Sequence, residues 1–268
     1  MRKTFMVGVA ALIAVALTGC SSPETWAATP KANYRTTVTE TGVVLDAHRT
    51  GGLDLRENSI ASAKALIGKV DVIDVDTQHL ADGTPVLMHD PTVDRTTNGT
   101  GTVSKHSLTW WKGLTLNTGD GPKGERPPTL AQFLDALGGK VVLTVEAKSA
   151  SSVPVIEKLI KARGLKDSVL INTNDPAVAK RIKADGYKAH IWRSAAQMRT
   201  DNPASFLFAD VVDIDYKATD ADILRFTRTI APRQVWGHTV NTQEDVRRMI
   251  DLGCNGVITD KPLTVGRG

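Results

Sequence analysis

The chain has 268 residues but only two cysteines, no run of basic residues and no apolar stretch long enough to span a bilayer. Each shortage excludes something. Cys20 closes an apolar leader, so Cys254 is the only cysteine left for a fold and an intrachain disulfide is excluded. Cys254 sits in the apolar stretch Leu252 to Thr259 and reads as a small core residue. Without a Lys/Arg run or basic stripe there is no footprint for nucleic acid, despite the formal net charge of +4. The apolar run from Met6 to Leu17 is too short for a membrane span; after Arg2 and Lys3 it reads as a secretory signal. Loss of that leader removes two of the positive charges. No internal repeat is visible.

The leader ends Leu17-Thr18-Gly19-Cys20, which resembles a bacterial lipobox, in which Cys20 is lipidated and becomes the new N-terminus. The alternative is ordinary cleavage near Trp26-Ala27-Ala28. The expected organisation is a signal peptide over 1–19, a lipidated flexible tether over 20–41 rich in Ser, Thr, Pro and Ala, and one domain over 42–268. A lipid on Cys20 implies a secreted protein anchored to the outer face of the cell membrane. Hydrophobic residues at 41% and charged residues at 23% argue against disorder and allow a sizeable core.

Short apolar runs alternate with longer amphipathic ones. The runs are 42–47, 70–76, 141–146, 168–172, 189–192, 211–215, 234–238 and 256–259, mostly Val, Ile and Leu as in strands buried on both faces. Between them the pattern predicts helices over 59–67, 130–137, 153–162, 176–184 and 242–252, the last capped by Thr242 and closed by Gly253. Eight strands in β-α order predict an α/β fold, a (β/α)8 TIM barrel; a doubly wound open sheet is the alternative. Residues 78–128 break the alternation. They are polar and glycine-rich, and predict a functional insertion (about 90–128) after the second strand, on the face where barrel active sites lie.

Ionisable residues cluster at the C-terminal ends of the runs: His48-Arg49, Asp74 with Asp76, Glu146 with Lys148, and His238. Residues i and i+2 of a strand point the same way, so Asp74 pairs with Asp76 and Glu146 with Lys148. Three carboxylates converging on one spot need a positive partner, and oxygen ligands favour Ca2+ or Mg2+. Arg49 and Lys148 offer charge for a phosphate. His48 and His89 suit paired proton transfers near neutral pH.

These residues sit in stretches that resemble the glycerophosphodiester phosphodiesterases. The matching stretches are His48-Arg49, Glu57-Asn58-Ser59, Asp74-Val75-Asp76, the long run from His89 to Gly101, Pro128-Thr129-Leu130, Glu146-Ala147-Lys148, Thr239-Val240-Asn241 and 256–262. The resemblance implies metal-dependent hydrolysis of a small-molecule glycerophosphodiester to glycerol 3-phosphate and an alcohol. It implies that Asp74, Asp76 and Glu146 hold the divalent cation and that His48 and His89 are base and acid. Arg49 and Lys148 would contact phosphate, with Glu57 orienting Arg49 or His48.

Three departures stand out against that family. Asp74 replaces a usual Glu, Thr50 a usual Gly, and His238 a usual Trp, where it would contact a polar headgroup or the phosphate, or fill space. Two other readings compete. One is a phospholipase acting on membrane lipids, for which Trp110-Trp111 is the only aromatic candidate at a cleft mouth. The other is an inactive binder of a phosphorylated ligand, against which the paired histidines argue. Trp110 and Trp111 can instead pack the insertion's own core, and Asp94, Arg95 and Asn98 are expected to hold its turns.

Overall fold

The computed structural model describes residues 31–267. The signal peptide, Cys20 and the first part of the tether lie outside them. Eight parallel strands close into a barrel: β1 (Val44–Ala47), β2 (Val72–His79), β4 (Val142–Ala147), β5 (Val169–Thr173), β6 (Lys188–Arg193), β7 (Val211–Asp215), β8 (Gln234–His238) and β9 (Gly256–Thr259). Pairing of β1 with both β9 and β2 completes the circle. The short β3 (Pro85–Leu87) runs antiparallel on β2, pairing Thr77 with Leu87 and His79 with Pro85. The fold is the predicted (β/α)8 barrel, and β3 is the strand that the sequence pattern did not signal.

Helices cross over on the outside. They are α2 (Ile60–Leu66), α4 (Leu130–Leu137), α5 (Val153–Ala162), α6 (Pro176–Ala184), α7 (Ala195–Thr200), α8 (Asp220–Ile230) and α9 (Gln243–Asp251). Side-chain caps start most of them. Thr129 forms a capping box with Gln132, and Thr242 accepts from the Asp245 amide as its position predicted. Outward strand residues such as Ile73, Leu143, Val145 and Ile171 pack against Phe133, Ile156, Ile182 and Phe226 from the helices in the main core. Cys254 belongs to that core, and burial pushes its thiol up to about 12.

The inner wall of the barrel changes character in one step. Its floor is apolar: Val44, Val72, Val142, Leu170, Val211 and Trp236. Two residues further along the same strands stand Asp46, Asp74, Thr144, Asn172, Asp213 and His238. Because the pleat has period two, these side chains stand directly above the floor. Gly256 lets the Trp236 ring fill that floor, since a Cβ there would come within 2.4 Å of it.

The flexible tether expected over 20–41 gives way to ordered structure at residue 31. Residues Tyr34–Glu40 form a helix, α1, capped by Asn33, whose Oδ1 accepts from the Arg35 amide at 2.9 Å. Tyr34 is buried against the floor residues, and its hydroxyl donates to the Asp210 carbonyl at 2.8 Å. Ala32 and Tyr34 also donate backbone amides to Gly139 and Asp167. The composition looked flexible because a single aromatic anchor does the packing, which leaves no apolar period to read.

In the insertion, α3 (Leu108–Trp111) and turns enclose a small core of Leu80, Val86, Met88, Val93, Val103, Trp111 and Leu114. Trp111 is fully enclosed and its indole donates to the Pro127 carbonyl. Trp110 stacks on His106 at 3.5 Å between ring centroids. Both tryptophans therefore serve the insertion, and neither lines the cleft. Among the described residues no helix is long and apolar enough to cross a membrane.

Candidate active site

A cleft of about 250 Å³ opens at the C-terminal ends of the strands. Six of the predicted residues line it: His48, Arg49, His89, Glu146, Lys148 and His238. Asn172, Thr173, Asn174, Trp192 and Thr239 complete its wall. Asp74 and Asp76 lie beneath this lining, both buried. Glu57 lies apart from it.

His48 follows β1 directly and is presented by an unusual turn. Arg49 and Thr50 have φ of 51° and 63°, in the left-handed region that suits glycine. The Thr50 hydroxyl offsets some of the strain by donating to the Arg56 carbonyl and accepting from the Ser59 amide. Gly51 follows at φ 82°, where a Cβ would meet Pro262 at 2.8 Å. The turn thus accommodates Thr50 in a left-handed conformation and keeps the His-Arg pair in the cleft.

Each cleft histidine is backed by a carboxylate. His48 Nδ1 lies 2.7 Å from Asp260 Oδ1, His89 Nδ1 2.8 Å from Asp90 Oδ1, and His238 Nδ1 2.7 Å from Asp213 Oδ2. A carboxylate only accepts, so each imidazole presents its Nδ1 hydrogen to it and turns Nε2 outward. Burial lowers His48 to about 4, keeping it neutral. Asp90 is held down to about 2, chiefly by Arg95.

Glu57 does not orient Arg49 or His48. Its two oxygens accept from Arg95 Nη1 and Nη2 at 2.6 and 2.8 Å, and Arg95 Nε donates to Asp90 at 2.6 Å. Glu57 thus reaches His89 through Arg95 and Asp90. Arg95 therefore does more than hold a turn. Asp94 and Asn98 do hold turns, accepting from the amides of Gly101 and Thr115.

The acidic side of the site is crowded. Lys148 Nζ sits 2.7 Å from Asp76 Oδ1 and 2.6 Å from Glu146 Oε2. Asn58 donates to Asp76 Oδ2, and Arg49 Nε lies 3.5 Å from the same atom. Burial pushes Glu146 up to about 7, with Asp76 adding to the rise. Asp74 accepts from the Arg49 amide at 3.3 Å; burial and then Asp46, Asp76 and Glu146 raise it well above the usual range. Among the described residues no three such side chains converge in ligand geometry. The donor chemistry nevertheless fits a hard divalent cation: burial beside neighbouring carboxylates raises Asp74 and Glu146, while Lys148 and Arg49 hold Asp76 down, and the Lys148 ammonium already bridges Asp76 and Glu146.

The sequence reading missed Asp260, Asp213, Asp90 and Trp192. Asp260 and Asp213 follow the apolar residues Ile258 and Val211 by two positions, the same inward phase as His48 after Asp46. That periodicity was the available signal.

The glycerophosphoryl diester phosphodiesterase family model matches residues 48–264. A glycerophosphodiester phosphodiesterase of Caldanaerobacter subterraneus subsp. tengcongensis is 31% identical over 82% of this chain and 94% of its own. One from Bacillus subtilis is 29% identical over 81% and 83%. Among solved structures, a phosphodiesterase of Oleispira antarctica in complex with sn-glycerol-3-phosphate superposes with a TM-score of 0.74 at 20% identity, covering 84% of this chain and 96% of that one. A putative glycerophosphoryl diester phosphodiesterase of Silicibacter pomeroyi gives 0.73 at 18%, covering 85% and 95%. With a family model matched from its first cleft histidine to the end of its last strand and beyond, the chain belongs to the glycerophosphoryl diester phosphodiesterase family.

Proposed function

We propose that this chain hydrolyses glycerophosphodiesters to glycerol 3-phosphate and an alcohol, using His48 as base, His89 as acid and a divalent cation. The observation that carries the reading is the meeting of two carboxylate-backed histidines with Arg49 and Lys148 in one cleft. Curated relatives bear the name of this activity, and the Oleispira antarctica enzyme holds its product.

The phosphodiester anion is bound by Arg49 and Lys148. Buried and neutral, His48 takes a proton at Nε2 from the attacking hydroxyl or water, and Asp260 stabilises the imidazolium that results. The new P–O bond forms as the bond to the leaving alcohol breaks. His89 is more open to solvent, its side chain 33% exposed, and donates its proton to the departing oxygen. A Ca2+ or Mg2+ ion held by Asp74, Asp76 and Glu146 would supply charge neutralisation at the phosphoryl oxygens.

Neither alternative gains support. The aromatic pair that favoured a membrane-lipid substrate is committed to the insertion's core. A pure binder has no use for two histidines each aligned by its own carboxylate. We further propose that Cys20 is lipidated and that the protein works outside the cell, anchored to the membrane; the leader and lipobox support this.

The test is release of glycerol 3-phosphate from a panel of glycerophosphodiesters by the chain from residue 21 onward, with Ca2+, Mg2+, Mn2+ or EDTA. Metal-dependent release that His48→Ala abolishes is expected. Full activity in EDTA would remove the metal assignment, and no release under any condition would remove the reaction.

A further inference from the structure

His238 lines the cleft beside His48, and its surroundings are those of a proton carrier. Its Nε2 lies 3.3 Å from His48 Nε2, with ring centroids 4.7 Å apart and planes at 72°. Behind it, Asp213 is fully buried and also lies 3.2 Å from His190 Nε2. One line of contacts therefore runs Asp260, His48, His238, Asp213.

Tautomer logic restricts what this line can hold. Both Nδ1 atoms face carboxylates, at 2.7 Å each. Burial opposes ionisation of Asp213, but His190 and His238 outweigh it and keep its carboxyl below the usual range. Asp260 is likewise held down against burial, by His48 first. Both imidazoles therefore carry hydrogen on Nδ1. If both were neutral, two Nε2 lone pairs would face each other at 3.3 Å and repel. One added hydrogen turns that repulsion into an N–H···N bond.

We propose that a single proton is held between His48 Nε2 and His238 Nε2, and that the phosphate of an arriving substrate draws it away on His238, freeing His48 to act as base. This rests on the hydrolase reading above. His238 is the partner that carries the proton, since His48 is the more deeply buried, its side chain 10% exposed against 19%. No covalent bond changes in the step. The Nε2–H of His238 exchanges the His48 lone pair for a phosphate oxygen in the same cleft, and the vacated lone pair then meets the attacking hydroxyl. The charged groups facing the pair are Asp260 beyond β9, Asp213 on β7 with His190 of β6 behind it, and Arg49 after β1.

The test uses the full chain labelled with 15N in histidine, in EDTA and without substrate, at pH 6.5. Long-range 1H–15N spectra should show hydrogen on Nδ1 of both His48 and His238 and one Nε2 hydrogen coupled to both rings. Adding glycerol 3-phosphate should abolish the coupling to His48 and leave its Nε2 an unprotonated acceptor. In His238→Gln, which keeps an amide donor for Asp213, His48 Nε2 should read as free from the start, and KM should rise about tenfold for loss of a charged hydrogen bond. Hydrogen on Nε2 but not Nδ1 of either ring would overturn the proposal, as would two unprotonated Nε2 atoms or a KM unchanged in His238→Gln. Turnover with a negative spectrum sinks the pair alone, whereas a positive spectrum without turnover sinks the hydrolase reading and leaves the shared proton standing.

Discussion

At the scale of single residues, Thr50 combines strain and bonding in one side chain. A β-branched residue at φ 63° costs about 1–2 kcal/mol, while its hydroxyl makes two hydrogen bonds. Thr50→Ala keeps the strain and loses the bonds; Thr50→Gly loses the bonds and the strain together. Glycine should therefore be the more stable variant by about 1 kcal/mol, the reverse of the usual order, in urea unfolding of the pair. If alanine is the more stable, the turn is not strained. The chemistry at this scale was legible where a polar residue ended an apolar run, as with His48, Lys148 and His238. Their partners were not, because Asp260 is 212 positions from His48, and only closure of the barrel makes them neighbours. Glu57 was misassigned for a related reason: its partner Arg95 lies inside an insertion that has no strand period to fix directions.

At the scale of elements, runs of Val, Ile and Leu made all eight barrel strands readable, including the weakly marked β6. The elements that went unread are short or polar. β3 has three residues, and α8 begins Asp220-Ala221-Asp222, with its apolar face carried by Ile223, Phe226 and Ile230. α1 is held by tertiary contact more than by its own seven residues, since a helix so short has little stability alone. Tyr34→Phe should cost about 1 kcal/mol for the lost bond to Asp210, and Tyr34→Ala about 3–4 kcal/mol with the ring gone. Neither should change kcat at a temperature where both variants are folded, because Tyr34 packs at the far end of the barrel from the cleft. A matched fall in kcat would show that the floor and the cleft are coupled.

At the scale of the whole molecule, acid sensitivity is a balance among site residues. His48 titrates near 4 in the folded chain and about 6.5 in the unfolded one. Between those values the unfolded state binds the proton first, so this group alone removes about 3 kcal/mol as pH falls from 6.5 to 4. Glu146 has the opposite sign. Raised to about 7 when folded, it takes its proton first in the folded state and adds stability as pH falls from 7 towards 4.5. Asp74, also raised, acts in the same direction as Glu146, so the metal-free protein should lose less Tm between pH 7 and 4.5 than His48 alone would remove. Glu146→Gln should expose the falling His48 contribution over the same range. A profile in that variant no steeper than the parent's would mean that Glu146 is not raised as its burial implies.

The plug that Tyr34 makes in the barrel floor also fixes where the chain joins the barrel. Residue 31 enters at the end opposite the cleft, so a tether ahead of it joins the base of the barrel and not its mouth. If Cys20 carries lipid, ten residues reach at most about 35 Å before the plug begins. The cleft then opens at the other end of the barrel from the chain's point of entry.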